Sequence, residues 1–300
     1  YVDSDYAQAQ MYYEKAVTLA RKIQSPYYES FWLGLLGLAM EKLWRLTDAK
    51  KFYINALEIA EPIGSRKFVA TTLNNLGSVN NRQGNYQVAQ DYYKNTLKIV
   101  KEIGHRELES HALWHLAQST FQQNNYQIAL EYSNQSLAMA RTVGNPLAQI
   151  YALIYAGYAL SGLIRYVKSV KMFDEAVQLC YQTEQENILL IEILAGLGHV
   201  YAKKNDWRQA REVIDEILVA PEFEDLTGAE EAMRIQWNCY HILTKSQSES
   251  DTILSRKILQ RAYNQLQTQA QNFIDEGERT VFLEHITIHH MIVKEFTSQK

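Results

Sequence analysis

Residues Asn75–Gly104 read "NLGSVNNRQGNYQVAQDYYKNTLKIVKEIG", and His115–Gly144 read "HLAQSTFQQNNYQIALEYSNQSLAMARTVG". Most slots differ, yet Leu, a small residue, Tyr and Ala return at the same places forty residues later. The register extends in both directions. Ala9, Ala49, Ala89, Ala129, Ser169 and Ala210 follow one another at intervals of 40, 40, 40, 40 and 41 residues. Three positions before each stands a bulky residue: Tyr6, Leu46, Tyr86, Tyr126, Tyr166 and Trp207. A second small slot recurs as Gly37, Gly77, Ala117, Gly157 and Gly198, and large rings follow downstream at Tyr13, Phe52 or Tyr53, Tyr93 and Phe173.

Each period holds two stretches whose apolar residues step by three and four, the spacing of one face of a helix. A short break such as "RQGN" or "QQNN" separates them, and Ile63-Gly64, Ile103-Gly104 or Val143-Gly144 closes the second. Glycine there fits the left-handed residue that ends many helices. Pro26 and Pro146 lie just beyond, where proline is accepted in a first helical turn. Two helices approach most closely where neither carries a large side chain, so the small slots mark helix crossings.

Composition agrees with an all-helical chain: 300 residues contain only 13 Gly and 4 Pro, against 20 Tyr. A net charge of −4 argues against general nucleic-acid affinity, which needs clustered Lys and Arg to neutralise phosphates. Cys180 and Cys239 form no metal-ligand pair and are expected as reduced core thiols. With no long apolar run and no charged-then-apolar leader, the expected location is the cytoplasm, away from membrane.

The pattern resembles the tetratricopeptide repeat in a long, 40-residue form. The resemblance implies an all-α, right-handed α-solenoid of about six helical hairpins with an atypical C-terminal capping set. Tandem repeats are expected over residues 1–224, the first only half a repeat, and a last hairpin plus cap in the same solenoid over 225–300. The half-repeat start suggests a piece of a longer chain. After Glu224 the period lengthens, and the remainder reads as three helices. The stretch from Ala262-Tyr263 through Asp275, Glu278, Arg279 and Phe282-Leu283 resembles the end of the repeat sensor regions of bacterial STAND-type signalling ATPases. That resemblance implies an upstream effector in cis, such as a P-loop NTPase, although no "GxxxxGK[ST]" occurs in this chain.

No zinc, nucleophile-elbow or metalloprotease motif appears, so no catalytic residue, cofactor or metal is expected. His285 and His289, four apart with His290 beside them, have two-ligand spacing without a third ligand, as do His111 and His115. The surface expected to act is the concave wall, lined by the first helix of each hairpin. Its candidate partner-binding residues are Asn74, Asn81, Arg82, His111, Trp114, Gln118, Tyr151, Tyr158 and His199, with Trp237 and Tyr240 next if the register survives. Asn supplies both a donor and an acceptor for an extended backbone, and Trp and Tyr supply rigid apolar area. The expected partner is a protein or peptide segment. A stand-alone adaptor and a peptide-pheromone receptor are the alternatives, and tight curling that buries the same rings is the competing structural outcome.

Overall fold

The computed structural model describes residues 2–299 except 184, 186, 227 and 247. Among the described residues the regular structure is helical. Helix α1 (Val2–Lys22) precedes six antiparallel hairpins. These pair α2 (Pro26–Lys42) with α3 (Leu46–Ala60), α4 (Arg66–Arg82) with α5 (Tyr86–Glu102), and α6 (Arg106–Gln122) with α7 (Tyr126–Val143). They continue with α8 (Pro146–Gly162) and α9 (Tyr166–Gln182), α10 (Asn187–Lys203) and α11 (Trp207–Val219), then α12 (Ala232–Leu243) and α13 (Glu249–Ala270). A cap follows: α14 (Glu276–Thr280), a π-helical turn at Val281–His285, and α15 (Thr287–Ser298). The three C-terminal helices expected from sequence are therefore four. The last apolar pattern is broken by the π-helical turn and by extended Ile286, which restarts the chain as α15.

The small slots seat rings. A Cβ on Gly77 would lie 2.3 Å from the ring of Tyr93, one on Gly37 2.7 Å from Tyr53, and one on Gly157 2.5 Å from Phe173. In the third hairpin the pair is Ala117 with Ser133, both fully buried, so a smaller partner accompanies a larger small-slot residue. Every such pair is sixteen residues apart, which is what joins the two helices of one hairpin.

The turns are equally regular. A left-handed residue stands between hairpins at Gln24, Gly64, Gly104 and Gly144, and within them at Trp44, Gly84, Asn124, Ile164 and Asn205. At Gly144, φ is 69°, and its amide and that of Asn145 bond back to Arg141 and Ala140, closing α7. Trp44 and Ile164 hold the same conformation with bulky side chains, where a Cβ crowds the following carbonyl.

The stack curls until its ends meet. Trp44, in the turn of the first hairpin, lies 6.4 Å from the ring of Phe282 in the cap. A Cβ on Gly84 would touch Ile286 at 3.0 Å and Val281 at 3.4 Å. Leu36, Met40 and Leu76 accordingly share one apolar core with Ile242, Phe282 and Ile286. Cys180 and Cys239 are buried, separate thiols. Among the described residues, no helix is long and apolar enough to cross a membrane.

Candidate functional site

Helices α2, α4, α6, α8, α10 and α12 form the inner wall, and closure brings their C-terminal halves around a common axis. Into that space dips the connection between α11 and α12. Residues 220–231 separate these helices, whereas the fully described connections between earlier hairpins take two to five residues. Its tip, Gly228–Glu231, carries two neighbouring carboxylates inward.

Glu230 accepts a hydrogen bond from Arg82 Nη2 at 2.6 Å, and the same guanidinium pairs through Nε with Glu41 at 3.3 Å. Glu41 also accepts from Tyr53 Oη at 3.1 Å and from Ser78 Oγ at 2.7 Å. Glu231 accepts from Gln118 at 3.2 Å, Gln122 at 3.0 Å and Tyr155 Oη at 3.1 Å. Its other oxygen pairs with Arg234 Nε at 3.2 Å. Arg234 lies over the faces of Phe121 and Tyr158, at 5.0 and 5.2 Å, and its Nη2 donates to Gln122 at 2.9 Å. Burial alone would raise the Glu230 carboxyl, but the charges of Arg82 and Lys42 and the Arg82 hydrogen bond outweigh it and hold the group below the usual carboxylate range. Glu192, on α10, is the reverse case. Burial, then the charges of Glu230 and Glu231, push it far up, while backbone hydrogen bonds at those two residues pull weakly the other way.

The expected partner-binding residues occupy this wall, with little exposure. Asn74 and Asn81 are buried, and the Oδ1 of each is without a hydrogen-bond partner. Arg82 makes the ion pairs already described. Trp114 is buried, stacked 4.6 Å from Tyr151 and 6.2 Å from Tyr155. Gln118 is spent on Glu231, and Tyr158 lies beneath Arg234. His111 turns aside to Asn145, 3.1 Å away. The competing outcome foreseen for the rings, burial by tight curling, therefore holds for Trp114 and Tyr158. Tyr240 leaves the wall, its hydroxyl donating to Glu295 at 2.6 Å, while Trp237 stays on it.

One part of the axis is open. A chamber of about 520 Å³ lies between the ends of α6, α8, α10 and α12 and the first turn of α15. Phe121, Tyr158, His199, Arg234 and Trp237 line it, with Lys203 at its edge. Burial, followed by the charges of Arg234, Lys203 and His241, lowers His199 to about 3, so it is neutral at physiological pH. Of the expected residues, Tyr158, His199 and Trp237 reach this chamber; Asn74, Asn81, Arg82, His111, Trp114, Gln118 and Tyr151 do not line it.

The histidine pairs have other duties. His285 belongs to the π-helical turn and His289 to α15, so no common helical face carries both. His289 is buried with Nδ1 2.8 Å from the carbonyl oxygen of Phe282, and burial lowers it to about 4. His115 is stacked on Tyr93 at 5.1 Å, and burial lowers it to about 3. Among the described residues, no group of three or more His, Cys, Asp or Glu is placed to hold a metal.

Sequence reasoning missed Glu41, Gln122, Tyr155, Glu192, Glu230, Glu231 and Arg234 as a set. Glu41 is in register with Asn81 and Glu192 with His111, so their signal is a carboxylate at an inner-wall position. Glu230 and Glu231 lie where the period fails, and periodicity assigns such residues no face.

Residues 68–142 match the tetratricopeptide-repeat family. The fold is a tetratricopeptide-repeat solenoid. No curated protein matches the sequence. Among solved structures, a Rap protein complexed with Competence and Sporulation Factor is similar over 97% of this chain and 84% of its own, with TM-score 0.65 and 18% identity. NprR in complex with its cognate peptide NprX matches over 97% and 84%, with TM-score 0.64 and 14% identity. A STAND protein with a tetratricopeptide repeat sensor, PH0952 from Pyrococcus horikoshii, matches over 78% of this chain but 39% of its own, with TM-score 0.51 and 20% identity. At these identities the likeness is one of fold.

Proposed function

We propose that this solenoid is a non-catalytic recognition module that holds a peptide or protein segment on its inner wall. In this reading it is the sensing part of a larger cytoplasmic bacterial signalling protein of the STAND type, with its effector upstream. The observation that carries the reading is the open chamber on the inner wall. Its aromatic sides, Phe121, Tyr158 and Trp237, and its polar groups, His199 and Arg234, match the makeup of ligand sites, as does its size. The similarity to the PH0952 sensor supports the signalling context.

A second reading, a receptor for a short peptide, is favoured by the extent of the likeness to the Rap and NprR complexes, which reaches the cap as well as the repeats. A stand-alone adaptor is the third.

A peptide array probed with this chain and with its Tyr158→Ala and Trp237→Ala variants tests the binding surface. Peptides held on the wall lose at least tenfold in affinity in one or both variants. Equal binding by all three proteins removes the assignment. A P-loop encoded upstream in the full gene separates the signalling reading from the other two.

A further inference from the structure

The connection between α11 and α12 occupies the wall as a bound peptide would. We propose that the Gly228–Glu231 turn is a tethered occupant, and that the surface beneath it takes an external acidic segment with two adjacent carboxylates. The inference rests on the recognition reading above and names the partner's chemistry.

Four observations carry it. The turn lies outside the repeat, in a connection longer than its counterparts and anchored in the core by Phe223, Leu226 and Ala229, so the repeat pattern does not set its course. It is held as ligands are held. Glu230 meets a guanidinium from α4, and Glu231 meets amides from α6, the Tyr155 hydroxyl of α8 and the guanidinium of Arg234. The surface is also left unsaturated. Tyr93 Oη and His115 Nδ1, which can donate and lie within reach of the Glu230 charge, are buried and lack hydrogen-bond partners, and burial normally leaves few such atoms. Charge points the same way. With the turn withdrawn, Arg82 and Arg234 would each lose a carboxylate partner, which an acidic segment would replace.

A tethered occupant competes at an effective concentration in the millimolar range, so it masks the wall from a weak external ligand. Removing its two carboxylates unmasks the wall. The test uses fluorescein-labelled peptides, Gly-Ala-Glu-Glu-Ala-Met and the same sequence with Gln-Gln, titrated by anisotropy into the full chain. The same titrations follow with Glu230→Ala/Glu231→Ala and with the more conservative Glu230→Gln/Glu231→Gln. The expected result is at least tenfold tighter binding of the Glu-Glu peptide by a substituted chain than by the original, with no binding of the Gln-Gln peptide. Equal affinity of original and substituted chains overturns the tethered occupant. Substituted chains that bind unrelated array peptides but not the Glu-Glu peptide overturn the acidic partner and leave the recognition reading standing. Folded variants that bind no peptide overturn both. If both variants lose their helical signal, recovery on adding the Glu-Glu peptide supports the inference and its absence overturns it.

Discussion

Arg82 is the point at which closure of the solenoid is most exposed to a single substitution. Its guanidinium lies between Glu41 of the first hairpin and Glu230 of the inserted turn, with 12% of its side chain exposed, and stands 5.3 Å over the ring of Trp44. Arg82→Met keeps the apolar stem and leaves both carboxylates without that cation. Breaking a buried pair from one side costs about 3–5 kcal/mol, because the remaining charge stays desolvated. Urea unfolding followed by circular dichroism at pH 7 should register a loss of that size.

The same change should invert one pH dependence. In the intact protein Glu230 is held low, so its contribution is present above the ordinary carboxylate pKa and is lost on acidification. Without Arg82, burial dominates and raises Glu230. The folded form then takes up a proton that the unfolded chain releases, and the penalty shrinks as pH falls from 7 towards 5. Arg82→Met/Glu230→Gln should recover part of the loss at pH 7. A penalty under about 1 kcal/mol, or one that does not change with pH, would refute the assignment of Arg82 as a buried bridge.

Three further changes probe other parts of the molecule. His115 and His289 stay neutral in the fold down to about 3 and about 4, whereas an unfolded histidine protonates near 6.5, so stability should fall by roughly 1.4 kcal/mol per pH unit for each between pH 6 and 5. Raised Glu192 works in the opposite direction, so Glu192→Gln should steepen the decline; a flat profile in both proteins excludes this account. Gly77→Ala drives a Cβ into Tyr93 and should cost about 1–3 kcal/mol, but much less in a Tyr93→Ser background, as Ala117 beside Ser133 indicates; additive losses in urea melts would exclude the paired-slot explanation. Ile164 is 74% exposed in a left-handed turn, and Asn124 and Asn205 fill the same slot. Ile164→Asn should therefore raise stability by about 1 kcal/mol, and an unchanged or lower melting point would show that this turn carries no strain.

The repeat was legible because its determinants are local. Gly77 and Tyr93 are sixteen residues apart in one hairpin, Gly144 ends its own helix, and each hairpin needs a similar neighbour to bury its apolar face, so stacking follows from the period. The period also put Asn74, Trp114 and Tyr158 on the inner wall. It did not decide what faces them. That depends on a small rotation per hairpin, summed around the stack until Trp44 reaches Phe282, and on the course of a connection that belongs to no repeat. Arg82 and Glu230 are 148 residues apart, and no spacing rule spans such a distance. Local chemistry chose the hairpin; only the accumulated curvature decided that the trough would close around two glutamates and leave a chamber beside them.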